Sequence, residues 1–454
     1  MQTLLRVRIC LYLRRCACSA SSTSCSEDAR VGLAARALHR QSSSPPRYGL
    51  HEETGLAPLG GIPYPFPGAV GAPVLSHPAR PSLVTITEKE VVMPRCKNVM
   101  PHLGGVSILL ACCCVSAARP DTYVVLPDGS GDFVTIQEAL DAAVNGDVVE
   151  LAPGVFAGPG NRDLTYNGKA VTVRSQMGSP ETCIIDCEEM SRGFYFLSAE
   201  SPASVLQGVT IRNGVTPYNG GGILCSASSP RIEDCIISNC TAGYAGGGAS
   251  CEYGSQAEFI DCLFEENVAD HDFGAGGAVY CSNESILRVE DCTFLNNTAE
   301  TIGGGIHVHL YAAAVIRECT FHGNSGPRGS QVSVRHHAFA DLHNCIMAFG
   351  FIGAAVRCEE NGQAALYCCD VYGNEGGDWE DCISGQEGIS GNISLDPLFC
   401  GADNGDLTID AASPCAPFSP PNPNCDLIGA WPIGCSSPTA IEEITWGALK
   451  AMSR

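Results

Sequence analysis

The most regular feature of this chain is a short hydrophobic pattern that returns seven times between residues 209 and 374. In each copy an apolar residue or cysteine is followed two positions later by a second apolar residue, and then by Asn or Gly at a turn. The first positions of the seven copies are Val209, Cys235, Cys262, Cys292, Cys319, Cys345 and Cys369. A second series lies 10 or 11 residues ahead of its partners, at Cys225, Cys251, Cys281, Val308, Val334 and Cys358. Two series in step at one period predict a solenoid.

The segments between the turns predict strands rather than helices. They are short, they alternate with a period of two, and they are separated by Gly, Asn, Ser and Asp. Leucine-rich repeats would need several Leu per unit and usually a helical segment, which this pattern lacks. The sequence therefore predicts an all-β, single-stranded parallel β-helix of roughly ten coils between residues 147 and about 430. Cys235, Cys262, Cys292, Cys319 and Cys345 should occupy successive rungs of one inward ladder.

Two motifs inside the repeats resemble a known family. Phe264-Glu265-Glu266-Asn267, Phe294-Leu295-Asn296-Asn297 and Phe321-His322-Gly323-Asn324 are similar to the F-x-x-N motif of polymorphic outer membrane protein repeats. The accompanying GGA-I motif resembles Gly220-Gly221-Gly222-Ile223, Gly247-Gly248-Ala249, Gly276-Gly277-Ala278-Val279 and Gly304-Gly305-Ile306. The resemblance covers residues 220 to 324 and implies a right-handed parallel β-helix of the pectin-lyase-like superfamily, displayed outside the cell. It implies no catalytic residue.

A short helix is predicted ahead of the repeats. Residues 132–143 resemble the segment that opens many pectin-lyase-like domains. Thr135 as N-cap and Glu138 three residues later form a capping box, and Asn145-Gly146 predicts the end of the helix. We expect this helix, at about 135–144, to cover the first coil, because an open β-helix end exposes a core and unpaired backbone groups.

The sequence at the two ends of the chain indicates that the protein is exported. Residues 1–92 carry no sustained period and are interpreted as a disordered or mis-called extension, and residues 93–118 read as a signal peptide cleaved near Ala117. A disordered extension followed by a membrane anchor is the alternative. The β-helix is expected over 119–435, as a secreted or cell-surface protein of bacterial type, with 436–454 as a linker to an anchoring or sorting domain. Residues 396–430 resemble the final coils of secreted bacterial β-helix proteins, with the Pro-rich stretch 417–423 as a loop over that end.

Charge narrows the range of partners. Beyond residue 118 the sequence holds 14 Arg and Lys against 43 Asp and Glu, a formal balance of −29. Such a surface repels nucleic acid and anionic lipid. We expect no nucleic-acid partner, no transmembrane domain in the mature chain, and a monomer that contacts glycan or a host or neighbouring cell surface.

Nineteen of the 27 cysteines lie beyond residue 118. That density in an exported chain favours disulfides, but the ladder positions alternate with apolar residues and predict small buried side chains. Equivalent residues on neighbouring rungs are close enough for a disulfide, yet their parallel side chains are poorly oriented for it. We therefore predict mostly reduced ladder thiols. The bridges are expected near the ends of the domain, among Cys183, Cys187, Cys400, Cys415, Cys425 and Cys435. Zinc spacing is absent.

One strand face carries candidate chemistry. In enzymes of the pectin-lyase-like superfamily the substrate lies across the outside of the coils, on one sheet. Alternation points Tyr280, His307, His309, Arg335 and Arg357 outward on adjacent coils. Tyr or His can remove a proton beside a uronate carboxyl group, and Arg can stabilise the enolate that develops. The alternative is that these residues are simply solvated and compatible with strands.

Metal sites are weaker candidates. Asp403 and Asp406 lie in a stretch with the composition of a calcium loop, so calcium is the ion they could bind, but the remaining ligands of an EF-hand are absent. Loop acids at Asp270, Asp272, Asp378, Glu380 and Asp381 are more simply read as solvated. Asn267, Asn297, Asn324 and Asn374 are predicted to stack at one turn and hydrogen-bond along the ladder. His336-His337 is given no role.

Three functions remain. The first is a non-catalytic extracellular β-helix for adhesion, surface structure or glycan binding, and this is the function we expect. The second is a polysaccharide lyase, hydrolase or epimerase acting on an acidic polysaccharide through the outer face. The third is a structural passenger for a further C-terminal domain. The sequence does not identify the ligand. These functions are discriminated by whether Tyr280, His307, His309 and Arg335 converge in a groove or lie on a flat exposed sheet.

Overall fold

Short parallel strands form almost all the regular structure in the computed structural model, which describes residues 119–436. The strands build three long sheets, here named A, B and C, and one short sheet D. The strands of sheet A are Thr122–Val125, Val148–Leu151, Thr172–Ser175, Val205–Gln207, Arg231–Glu233, Glu258–Ile260, Ile286–Glu290, Ala313–Arg317, Phe339–His343 and Gln363–Tyr367. The strands of sheet B are Gly154–Phe156, Cys183–Asp186, Thr210–Arg212, Ile236–Ser238, Leu263–Glu265, Thr293–Leu295, Thr320–His322, Ile346–Ala348 and Asp370–Tyr372.

Sheets C and D complete the coils. The strands of sheet C are Leu164–Thr165, Phe194–Phe196, Ile223–Ser226, Ala249–Glu252, Val279–Cys281, Ile306–Val308, Val332–Arg335 and Val356–Glu359. The strands of sheet D are Val215–Thr216, Thr241–Ala242, Val268–Ala269 and Thr298–Ala299. Each strand pairs in parallel with its equivalent one coil away, so the predicted all-β parallel β-helix is confirmed. The coils begin at Thr122 rather than near residue 147, and their last long-sheet strand ends at Tyr372.

The inward cysteine ladders are confirmed. Cys235, Cys262, Cys292, Cys319 and Cys345 each precede a sheet B strand, the strands pair in register, and all five side chains are buried. The second series is equally regular on sheet C, where Cys225 pairs with Cys251 and Cys251 with Cys281. Burial raises the pKa of the Cys262 and Cys292 thiols. These thiols are therefore small protonated core groups rather than reactive nucleophiles.

Phenylalanine and asparagine stack beside the thiols. The ring centroid of Phe294 lies 5.1 Å from that of Phe264 and 4.5 Å from that of Phe321, and the three rings are nearly parallel. The side-chain amide of Asn267 donates to the Asn297 oxygen at 3.0 Å, and Asn297 donates to Asn324 at 2.9 Å. The predicted asparagine ladder is thus confirmed.

The asparagine ladder reaches Asn374 through a different residue, because Gly350 occupies the next rung. The Gln331 amide fills that place: its oxygen accepts from Asn324 at 2.7 Å and its nitrogen donates to Asn374 at 3.0 Å. The left-handed backbone belongs to the residue before each ladder asparagine, as at Glu266 with φ 53° and Asn296 with φ 54°.

The repeated glycine pair has a steric cause. Gly276 has φ of +66°, and a Cβ atom on Gly277 would lie 2.3 Å from the carbonyl oxygen of Gly304 on the next coil. Only glycine meets both requirements without strain. The pair turns the chain from sheet D into sheet C and so sets the start of each sheet C strand.

The capping helix is confirmed at Ile136–Ala142. The Thr135 hydroxyl accepts from the Glu138 backbone N–H, while the Glu138 carboxylate accepts from the Val134 N–H at 3.2 Å. Three buried residues of the helix cover the end of the core, namely Ile136, Ala139 and Leu140. Strand Thr122–Val125, which precedes this helix and pairs with Val148–Leu151, was not predicted from the sequence.

The C-terminal prediction was wrong. Residues 396–435, here named the C-terminal strap, form no further coils. They contain a separate sheet in which the first two strands are antiparallel, with strands Phe399–Gly401, Asp406–Asp410 and Ile433–Cys435. The strap lies along the outer side of sheet B: the Trp431 indole donates to the Thr293 hydroxyl at 2.8 Å, and the Ala430 N–H donates to the Thr320 hydroxyl at 2.9 Å. Short 3₁₀ helices occur at Pro180–Thr182, Asp381–Ile383 and Ala402–Asn404.

Disulfides secure this end of the molecule. The bridges within the described residues are Cys358–Cys382, Cys368–Cys425 and Cys400–Cys435. Bridges at Cys400, Cys425 and Cys435 were predicted, whereas Cys183, Cys187 and Cys415 are free and buried, contrary to the prediction. Cys358 was assigned to a reduced ladder, but the segment that covers the sheet C edge brings Cys382 to it.

No helix within residues 119–436 is long and apolar enough to cross a membrane. The extension predicted for 1–92, the signal peptide predicted for 93–118 and nearly all of the linker predicted for 436–454 lie outside the described residues.

We expect Phe294→Ala to lower the free energy of unfolding by about 3–5 kcal/mol, because it removes a fully buried ring from the stack. Chemical denaturation would measure the loss. Since solenoid contacts join neighbouring coils, limited proteolysis should first cut near residues 265 to 325. Phe339→Ala, on the exposed side of sheet A, is the matched control, and uniform loss of protection along the chain would contradict the expectation.

We also expect the free energy of unfolding to fall as the pH rises from about 4 to about 7, by at most about 4 kcal/mol, owing to Asp370. Burial raises the pKa of this carboxyl group, which contacts the Leu395 N–H and the Cys415 thiol, to about 7. Between these pH values the unfolded chain binds fewer protons at Asp370 than the folded chain does. Asp370→Asn should flatten the pH dependence, and an unchanged slope would refute this role for Asp370.

Candidate functional site

The outward rung of sheet C brings the predicted site residues onto one face. Register pairs Ser250 with Tyr280, Tyr280 with His307, and His307 with Ser333 on successive coils. His309 follows one residue beyond its strand, and Arg335 pairs with Glu359. The period-two alternation in the sequence thus predicted correctly that these side chains point outward from sheet C.

A cleft of about 670 Å³ lies over this face, here named the sheet-C cleft. Its floor is formed by Tyr280, His307 and His309, and Arg335 lies at its rim. Its remaining lining residues are Tyr218, Asn219, Tyr244, Ala245, Asp272, Phe273, Ala275, Thr301, Ile302 and Arg328. Four of the five candidates therefore converge in a cleft, and Arg357 lies outside its lining.

The cleft wall comes from the segments that join sheet D to sheet C. Between Val268–Ala269 and Val279–Cys281 this segment is longer than in the preceding coils, and it carries His271, Asp272 and Phe273 outward. The His271 ring packs 4.5 Å from Tyr244 and 5.6 Å from Phe273, measured between centroids. His307 also lines the cleft, and it is only 2% exposed although it faces away from the core.

A chain of hydrogen bonds crosses four coils in the floor and rim. The Tyr280 hydroxyl lies 3.1 Å from His309 Nδ1, and His309 Nε2 lies 2.8 Å from His336 Nδ1. His336 Nε2 contacts the Glu360 carboxylate. A carboxylate only accepts, so with both imidazoles neutral His336 donates to Glu360, His309 donates to His336, and Tyr280 donates to His309. The phenol oxygen then presents its lone pairs elsewhere.

His336 and Glu360 were missed because they are turn residues. Both follow sheet C strands at equivalent places on successive coils, and both have positive φ, 54° at His336 and 51° at Glu360. Period-two alternation assigns no direction to such residues. The signal that could have found them is the repeated pair of turn residues at 283–284, 310–311, 336–337 and 360–361.

Burial keeps the floor uncharged at neutral pH. Burial lowers the pKa of His307 to about 3, and burial together with His336 and Arg335 lowers the pKa of His309 to about 4. Burial raises the pKa of the Tyr280 phenol to about 12. These three groups can therefore give and accept hydrogen bonds as neutral side chains, and perturbed groups of this kind cluster at functional sites.

The arginines at the rim are already paired. Glu359 lies 3.5 Å from Arg335, 3.5 Å from Arg328 and 3.7 Å from Arg357. Arg335 also binds Glu360 at 2.6 Å, and Arg357 lies 3.5 Å from Asp381.

The predicted metal candidates do not assemble. Asp406 caps its own strand by accepting from the Thr408 backbone and hydroxyl, and Asp403 lies in the Ala402–Asn404 turn near His322. Asp378 accepts from the Gly373 and Asn374 backbone, which is a structural role. Within residues 119–436 no group of three or more His, Cys, Asp or Glu side chains is arranged to hold a metal ion.

One protein-family model matches the central repeats of this chain. The family described as "Right handed beta helix region" matches residues 181–347. The domain is a right-handed parallel β-helix. Metabotropic glutamate receptor-like protein R of Dictyostelium discoideum is 27% identical over 130 residues, which are 28% of this chain. The match spans only 8% of that protein's length.

Solved structures with similar coils include three enzymes. A pectin methylesterase from carrot is 15% identical, with 61% of this chain and 88% of that chain covered and a TM-score of 0.36. A rhamnogalacturonan lyase is 13% identical, with 62% and 90% covered and a TM-score of 0.35. The pectate lyase Pel9A is 12% identical, with 70% and 97% covered and a TM-score of 0.34.

Proposed function

We propose that this β-helix is a secreted or cell-surface glycan-binding protein and that the sheet-C cleft holds the glycan. The observation that carries the proposal is a cleft with an aromatic wall above a polar, uncharged floor. Three disulfides within residues 119–436 agree with a location outside the cell.

The wall offers aromatic faces that no core packing requires. Tyr218 is 69% exposed and Phe273 is 72% exposed, and both line the cleft. A rigid aromatic ring gives a large contact area at low cost in conformational entropy, and the apolar face of a sugar ring can pack against it. Exposed rings gathered at one concave site indicate a ligand, whereas rings scattered singly over a surface do not.

The floor supplies the polar half of a glycan site. Tyr280, His307 and His309 are neutral hydrogen-bonding groups held in place by their neighbours on adjacent coils. The ring centroids of Tyr280 and His307 are 5.7 Å apart, and those of His307 and His309 are 5.2 Å apart. A polymer lying along the solenoid axis would meet Tyr280 on one coil and His307 and His309 on the next, because equivalent strands are about 4.8 Å apart.

We expect Phe273→Ala to weaken glycan binding about tenfold by removing the most exposed ring of the wall. A glycan array would select the ligands, and isothermal titration calorimetry on residues 119–436 would measure the affinities. Phe339→Ala removes an exposed ring from sheet A and should leave binding unchanged. Equal affinities for wild type and Phe273→Ala would place the glycan elsewhere.

Acid–base catalysis is the second candidate, favoured by the Tyr280–His309–His336–Glu360 chain. Neutral His309 has a lone pair that can take the Tyr280 proton when Tyr280 removes a proton from the substrate, and Arg335 borders the same cleft. The free-energy cost of moving the Tyr280 proton to His309 is large, because the pKa of Tyr280 is raised to about 12 and that of His309 is lowered to about 4. The resting site is therefore better suited to binding than to proton abstraction.

If the cleft were catalytic, His309→Ala should abolish the release of unsaturated or hydrolysed products from an acidic polysaccharide without lowering the melting temperature. We expect instead no turnover by the wild-type protein and at most a several-fold weaker glycan affinity for His309→Ala. Absorbance of unsaturated uronates and a reducing-sugar assay would measure turnover. Robust turnover that is lost in His309→Ala would replace the binding function with an enzyme.

A further inference from the structure

We infer that the glycan of the sheet-C cleft is neutral and rich in hydroxyl groups, and is not a uronate polymer. The inference rests on the proposed function and names the class of ligand for the same cleft. Three observations carry it: the rim arginines are neutralised by the protein, carboxylates outnumber them, and the floor is built from neutral groups.

The guanidinium groups near the cleft are already ion-paired with carboxylates of the protein, although Arg335 Nε, 3.5 Å from Glu359, makes no hydrogen bond to another described residue. Arg328, Arg335 and Arg357 surround Glu359, and Glu360 and Asp381 complete the pairing with two of them. Three arginines thus lie within ion-pair distance of three carboxylates. A uronate would have to replace an existing ion pair and would gain little by the exchange.

The fourth nearby arginine is also engaged. Arg192 is buried, stacks on Tyr195 and donates to the Gly220 and Asn219 carbonyl oxygens and the Thr216 hydroxyl. Its donors are directed into the turn that supports the wall. It stabilises the cleft without presenting a free charge to the ligand.

Further carboxylates lie near the cleft. Asp272 lines it, and Glu252, next to Tyr280 on the preceding coil, is held by neutral donors: the Ser250 hydroxyl at 2.6 Å and the Asn219 amide at 2.7 Å. A uronate polymer repeats a negative charge on every sugar, so its successive rings would approach these groups. The negative balance of the chain beyond residue 118, −29, adds to the repulsion.

The floor suits hydroxyl groups. When Tyr280 donates to His309, its oxygen keeps lone pairs that can accept from a sugar hydroxyl, which is both donor and acceptor, whereas a carboxylate only accepts. His307 is 2% exposed and its Nδ1 is buried, so of the three floor groups it is the least accessible to a ligand. A cleft selective for neutral glycans would not remove a proton beside a uronate carboxyl, which is the first step of a lyase or epimerase.

The test compares neutral and acidic oligosaccharides of equal length on residues 119–436. Xylan, galactan and cellulose fragments supply the neutral set, and oligogalacturonate and oligomannuronate the acidic set, with calorimetry at low and high salt. We expect at least one neutral oligosaccharide to bind at least about tenfold more tightly than either uronate, with little dependence on salt. Phe273→Ala should weaken that binding, which assigns it to the cleft.

A charge variant tests whether the pairing of the arginines causes the preference for neutral glycans. Glu359→Gln removes the carboxylate shared by three arginines, so the affinity for uronate relative to neutral oligosaccharide should rise about three- to tenfold. Glu258→Gln is the matched control, because it removes the same charge from a pair with Arg288 on sheet A, 3.6 Å apart, and should leave the ratio unchanged. An equal ratio in wild type and Glu359→Gln would overturn the role given to the paired arginines.

The outcomes separate the two proposals. Uronates that bind more tightly than every neutral oligosaccharide, in a manner sensitive to Phe273→Ala, would overturn the neutral class and keep the cleft as a glycan site. Binding of neither class would overturn both. Neutral binding that Phe273→Ala leaves intact would overturn the cleft as the site.

Discussion

In-register pairing between successive coils supports every other feature of this domain, and the asparagine ladder shows how strictly it acts. The Asn267 amide is buried, and its hydrogen bonds run to Asn297 on the next coil and to the Ile237 carbonyl on the preceding one. An unpaired buried amide costs about 1–3 kcal/mol, so a slipped register would be penalised at every rung. Where Gly350 interrupts the ladder, Gln331 supplies the missing amide.

The same register organises the outer surface. Because Tyr280, His307 and the following rungs are fixed by backbone pairing, side chains from four coils can form one hydrogen-bonded chain without any dedicated scaffold. Backbone pairing alone would give a flat face. The longer segment that carries Asp272 and Phe273 raises one side of that face into a wall, and His307 on the same face is buried and uncharged at neutral pH.

The sequence was informative where a period exists and silent where it does not. Alternation between Cys281 inside and Tyr280 outside could be predicted because strand geometry allows only two directions. His336 and Glu360 lie in left-handed turns, where facing depends on φ and ψ rather than on parity. The C-terminal strap runs back along sheet B with one antiparallel pair, so it repeats nothing in the coils, and the position of Trp431 over Thr293 is a contact across 138 residues.

Disulfide partners and outward-facing residues likewise differ from the repeated core positions in how far the sequence predicts them. The ladder thiols could be predicted to be buried from their neighbours, whereas the partner of Cys358 depends on where the segment before Cys382 folds over the sheet edge. Inward rungs of sheet C stay apolar through Ile223, Ala249, Val279, Ile306 and Val332, while the adjacent outward rung changes from Leu224 to Ser250, Tyr280, His307 and Ser333. Since packing and pairing are satisfied by the inward side chains and the backbone, the outward rung is free to vary from coil to coil. A solenoid of this kind can therefore keep its fold through degenerate repeats and place its distinctive chemistry in two or three coils.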